Sequence, residues 1–73
     1  MEEKDQALVR HLVDTNPRFR MLFEEHRLLE KELDKLDQRP FLTPEEEIER
    51  KKVQKLKLAG KDEMESILRN NRQ

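Results

Sequence analysis

Arg39-Pro40-Phe41-Leu42-Thr43-Pro44-Glu45-Glu46 decides how this chain folds. Pro40 disfavours helical geometry in the residue before it, so a helix arriving from upstream stops there. Thr43, Pro44 and Glu46 then spell a new start. The threonine can cap, the proline lacks only an N–H that would be unpaired anyway, and the glutamate stands three residues after the cap. The acidic run Glu45 to Glu47 also suits the positive end of a helix dipole. A stop and a start this close imply a reversal, with antiparallel helices on either side.

Upstream, the segment from 17 to 38 has helical periodicity. Phe19, His26 and Leu33 share one heptad position, and Leu22, Leu29 and Leu36 share its partner three residues on. That spacing predicts a coiled-coil-like seam over nearly three heptads, flanked by Phe23. Met21 and Leu28 lie off the seam. Earlier still, Leu8, Val9, Leu12 and Val13 give a narrow apolar face to a short helix expected over 3–14. Asn16-Pro17 interrupts it, with Asn16 as the expected N-cap of the second helix. The break reads either as a kink that continues the second helix or as a turn that folds the first back near Met64 to Leu68.

Downstream, a third helix is expected over 44–69, with 70–73 frayed. Its inner stripe is Val53, Leu56, Ala59 or Gly60, Met64 and Ile67, while Leu58 points almost the opposite way. Glu46 with Arg50, Glu47 with Lys51 and Glu65 with Arg69 have the i,i+4 spacing of helix ion pairs. Closing the hairpin sets Leu29 near Val53, His26 near Leu56 or Lys57, and Leu22 with Phe23 near Gly60. The only glycine, Gly60, is then expected to admit a bulky side chain from the facing helix. Some such gain would offset the roughly 0.8–1 kcal/mol that glycine costs inside a helix. The predicted architecture is an all-α antiparallel hairpin over residues 1–73, with a short, proline-interrupted N-terminal helix.

Composition narrows the function. With 45% charged and 33% hydrophobic residues in a chain of 73, little apolar surface is available for a core, and oligomerisation or docking on another protein would supply more. Sixteen basic residues against 17 acidic leave a net charge of −1, not the excess of a dedicated nucleic-acid binder. Arg50, Lys51, Lys52, Lys55, Lys57 and Lys61 are interleaved with acids and spread around the helix, so they read as a solvated face. There is no tyrosine or tryptophan to stack on bases, and the three phenylalanines read as packing residues. No cysteine is present, so neither a disulfide framework nor a thiolate zinc site arises. One glycine cannot form a phosphate-cradling loop.

His11 with Asp14 is a lone histidine–carboxylate pair, short of the three or four ligands that a metal requires. His26 is expected to be partly buried and bonded across the hairpin. The sharper alternative is a pH switch at the seam. Ser66, the only serine, stands near a fraying end with no base to activate it, so no catalytic activity, cofactor or metal is expected. No apolar segment follows the polar start, and no run approaches membrane-spanning length. A cytoplasmic protein acting through protein contacts is expected, with Met21, Leu28 and Leu58 as its candidate partner surface and a homo-oligomer as one form of it. Weak nucleic-acid association through the third helix is the alternative.

Two segments also carry a resemblance. Phe-x-x-Leu-Phe-Glu-Glu-His at 19–26 and Lys-Leu-x-Leu-x-x-Lys-Asp-x-Met at 55–64 resemble the YdcH-like family of small bacterial proteins of unknown function. The likeness runs from about Leu8 to Leu68. It implies a small helical, coiled-coil-like, cytoplasmic protein and brings no catalytic or ligand residue with it. Gly60 stands where many relatives carry leucine.

Overall fold

The computed structural model describes residues 5–71. Three helices follow one another: α1 (Gln6–Thr15), α2 (Pro17–Asp37) and α3 (Pro44–Asn71), with no strand among the described residues. Residues 3 and 4, expected to open the first helix, and 72 and 73, expected to fray, lie outside that range. At 1.5 Å per residue α3 is about 42 Å long, and it accounts for most of the 46 Å length of the molecule.

Local chemistry makes both reversals. At the hairpin turn, the Thr43 N–H donates to Glu46 Oε1 at 3.0 Å and the Glu46 N–H donates to Thr43 Oγ1 at 3.1 Å. The two bonds satisfy reciprocally two donors that a helix start leaves unpaired. Arg39, from across the turn, pairs with the same Glu46 carboxylate. At the first reversal a single residue, Asn16, adopts extended geometry (φ −117°, ψ 104°). Its N–H still donates to the Leu12 carbonyl at 2.7 Å, while its own Oδ1 accepts from the Phe19 N–H at 3.0 Å. Asn16 thus closes α1 and caps α2, and the chain folds back instead of kinking. Gln6, Val9 and Arg10 come to line one cleft with Phe23, His26 and Glu30.

The core gathers at the open end of the hairpin, where all three helices meet. Leu12 of α1, Phe19 and Leu22 of α2, and Met64 and Leu68 of α3 form one buried cluster. Phe19, Met64 and Leu68 are completely buried. Leu8, Val9, Val13, Phe23 and Ile67 pack around them. Toward the turn only Leu33 and Val53 are buried, with Leu29 and Leu36 half-covered.

Several expectations change. Leu56, placed on the seam by spacing, is 55% exposed, whereas Leu68, not expected on the seam, is fully buried. The cause is α1. It packs to one side of the hairpin and draws the buried stripe of α3 toward itself, along Val53, Met64 and Leu68, leaving Leu56 on the far side. Phe41 is not packed at all: it stands 88% exposed in the turn. Gly60 admits no bulky neighbour, since a Cβ built there would meet nothing within 4 Å. The helix α3 does not end at 69 but runs to Asn71, whose side-chain Nδ2 donates to the Ile67 carbonyl at 2.8 Å.

The ion pairs also differ from simple i,i+4 spacing. Arg50 reaches across to Asp37 (2.8 Å) and not to Glu46, and at the other end Arg18 grips Glu63 through both carboxylate oxygens (2.6 and 2.8 Å). Cross-hairpin partners are within reach because the helices run antiparallel, and the bidentate fork of arginine favours them. The hydrogen bond from Arg18 holds the Glu63 carboxyl below its ordinary value, and the bond from Arg50 does the same for Asp37. Both pairs are exposed, so each contributes little.

Leu68→Ala should cost about 2–5 kcal/mol in denaturant unfolding, because it opens a cavity where three helices meet, whereas Leu58→Ala should stay within about 0.5 kcal/mol. Gly60→Ala should stabilise by about 0.8–1 kcal/mol, since helix propensity improves and no clash opposes it; a destabilised variant would show that a close contact exists there. A carboxyl with a lowered folded pKa lends stability that is present above its unfolded pKa and is lost as pH falls through the folded one. Arg18→Gln should therefore lose less melting temperature than wild type on acidification through the carboxylate range, and equal losses would contradict it.

Candidate interaction surface

On α2, α1 covers the side that carries Phe23, His26 and Glu30. Met21 and Leu28, seven residues apart, fall within about 20° of each other and about 140–160° around the helix from Phe23. On α3, Leu68 packs with α1, and Leu56 lies about 120° from it. The hairpin therefore has a face covered by α1 and an opposite face that is not. Met21 (53%), Leu28 (65%) and Leu56 (55%) are the large apolar side chains left in solvent on that open face, whereas Ile48, also exposed, lies about 140–160° around α3 from buried Val53 and Met64 and points away from the hairpin.

Between the two helices the open face is grooved. Leu22 and Leu29 from α2, with Leu56, Ala59 and Gly60 from α3, line a cavity of ≈ 180 Å³. The missing side chain at Gly60 helps to make this dent, and the Arg18–Glu63 pair borders one end. The groove is therefore apolar along its floor and charged at its rim.

The residues singled out in the sequence separate into three groups. Phe19, Leu22, Leu33, Val53 and Met64 are buried, with Phe23, His26, Leu29, Leu36, Gly60 and Ile67 partly so. Met21 and Leu28 share the open face. Leu58, half-exposed, does not join them: it lies about 160° from Gly60 and points outward along the edge of α3. Leu56 belongs to the face although spacing placed it on the seam, because which side of α3 stays wet depends on where α1 lies. Phe41 stands apart in the turn.

His26 differs from expectation in its partner. Its Nε2 meets Glu30 Oε1 on its own helix at 2.7 Å, not a group across the hairpin, and Nδ1 is buried without a hydrogen-bond partner among the described residues. The ring thus sits between α1 and the groove. No group of three or more histidine, cysteine or acidic side chains among the described residues is placed to hold a metal ion. No helix among them is long and apolar enough to cross a membrane.

No curated protein and no solved structure matches the chain significantly. The profile of a family described as "Protein of unknown function (DUF465)" matches residues 19–68, a span that opens on buried Phe19 and closes on buried Leu68. It takes in nearly all of the hairpin and leaves α1 outside. With more than half of its length matched, the chain belongs to the DUF465 family, small proteins of unknown function.

Proposed function

We propose that this protein is a helical interaction module that works through protein contacts and carries out no chemistry of its own. The observation that supports this most is the open face: three large apolar side chains at least half exposed, on one side of a molecule with few buried ones. A protein of this size that left such a face in water would forgo burial that it needs, because small units have little core to spare. An interaction that covers Met21, Leu28 and Leu56 supplies it. The exposed charge supports a polar rim and not a reacting centre, since Arg18, Arg50, Asp37 and Glu63 are paired with one another. The likeness to YdcH-like proteins, compatible with the family match, supports a bacterial, cytoplasmic setting.

Nucleic-acid association through Arg50 to Lys61 is the weaker reading. Arg50 is engaged by Asp37 and Lys57 lines the groove, which leaves fewer free cations than the sequence offers.

A photo-reactive amino acid placed at Leu28 tests the proposal in cells. Protein adducts should form there and be much weaker from a probe at exposed Asp34, about 120° around α2 from Leu28. Equal labelling at both positions, or none at Leu28, would count against it. A gel shift with RNA or DNA at low salt that fades steeply as salt rises would favour the alternative.

A further inference from the structure

We propose that α1 is a strap that opens while the hairpin stays folded, and that the strip beneath it, formed by Phe19, Phe23 and Leu68, docks a partner's amphipathic helix with the apolar spacing of α1. The inference concerns the closed face of the hairpin and stands apart from the open one.

The hairpin and α1 are held in different ways. Arg18 with Glu63 and Arg50 with Asp37 tie α2 to α3, and the Thr43–Glu46 cap fixes the turn between them. The inner face of α1 is apolar: Leu12 is buried, while Leu8, Val9 and Val13 are half-covered. In the buried cluster Phe19, Leu22, Met64 and Leu68 come from the hairpin, and Leu12 is the contribution of α1. Those four still face one another across α2 and α3 when α1 lifts, so the hairpin keeps most of its core. The matched family profile begins at Phe19 and ends at Leu68, and α1 lies outside it.

Two further features favour opening. The first half of α1 does not seal against α2. A cleft of ≈ 380 Å³, lined by Gln6, Val9, Arg10, Phe23, His26 and Glu30, runs between them, against ≈ 180 Å³ for the groove between α2 and α3. The tether is also a single residue. The Asn16 N–H bonds back to Leu12 in α1, and its Oδ1 bonds forward to Phe19 in α2, so rotation about φ of Asn16 leaves each bond with its own helix. At 10 residues α1 is too short to be a stable helix by itself. Docking orders it, and it is the element that leaves first.

What the strip accepts is shown by α1 itself. Leu8 with Val9 and Leu12 with Val13 form two apolar pairs one turn apart, on an arc of about 140°. A partner helix with that spacing fits the same strip and leaves its polar side in water, which is the helix-in-groove mode of recognition. Because α1 fills the strip within the chain, the partner's affinity is reduced by the fraction of molecules that are open. The contact is autoinhibitory, and whatever loosens α1 strengthens docking.

Native-state hydrogen exchange of the full chain tests the strap without any substitution. The amides of Arg10 to Thr15 should exchange at least about tenfold faster, relative to their intrinsic rates, than those of Leu22 to Leu33, and with a weaker dependence on denaturant. One common opening for all three helices would overturn the strap. The docking strip is tested with a peptide of residues 5–16 added to full-length Leu12→Asp, whose own α1 is released. By NMR the peptide should shift the signals of Phe19, Phe23 and Leu68, and wild type should bind it at least about tenfold more weakly. The same peptide with Leu8→Asp and Leu12→Asp should not bind. Equal binding to both proteins, no binding to either, or shifts centred on Met21, Leu28 and Leu56 would each overturn the docking site.

Discussion

Everything in this molecule hangs on one junction of three helices. Phe19, Met64 and Leu68 are sealed from water by one another and by Leu12 and Leu22. Burying a side chain of this kind contributes about 1.5–3 kcal/mol, and few other side chains here are buried at all. The junction also sets orientation. With α1 held against it, one side of the hairpin is closed and the other left open, so the core and the candidate surface are two results of one packing choice.

The turn end is held differently. Only Leu33 and Val53 are buried there, and the remaining order comes from hydrogen bonds and charge: the reciprocal Thr43–Glu46 cap, Arg39 on Glu46, and Arg50 on Asp37. Exposed ion pairs contribute little energy but penalise registers that misplace them. Capping contributes about 1 kcal/mol by pairing N–H groups that the helix start would leave unsatisfied. The hairpin is thus closed by local polar chemistry at one end and by burial at the other.

The open face gives these features a functional meaning. A chain with so much charge and so little apolar surface would be expected to hide every large aliphatic side chain it has, yet Met21, Leu28 and Leu56 stay in solvent together. Single exposed leucines are ordinary, but a set on one side is not. Gly60 fits the same picture. It serves no tight contact within the hairpin and instead deepens a groove on the side where a partner would lie.

How much of this was legible depended on distance along the chain. The all-α class, the Thr43–Glu46 cap and the Asn16 cap were readable from sequence because each cap is a bond between residues three apart, decided by residue type. The seam residues Phe19, Leu22, Leu33, Val53 and Met64 were readable because helical period fixes which side chains share a face. Leu56, Gly60, Leu68 and Phe41 were not. Period gives a face its membership but not its neighbour, and only the fold-back of α1 at Asn16 decided which flank of α3 was buried. The partners of Glu46, Arg50 and His26 likewise waited on the tertiary structure, since a charge chooses among every group within reach and most of those come from another helix or turn. By itself the sequence determined the helices, their caps and the hairpin; the packing of α1 decided which side was core and which was left free, because burial is a property of what lies opposite.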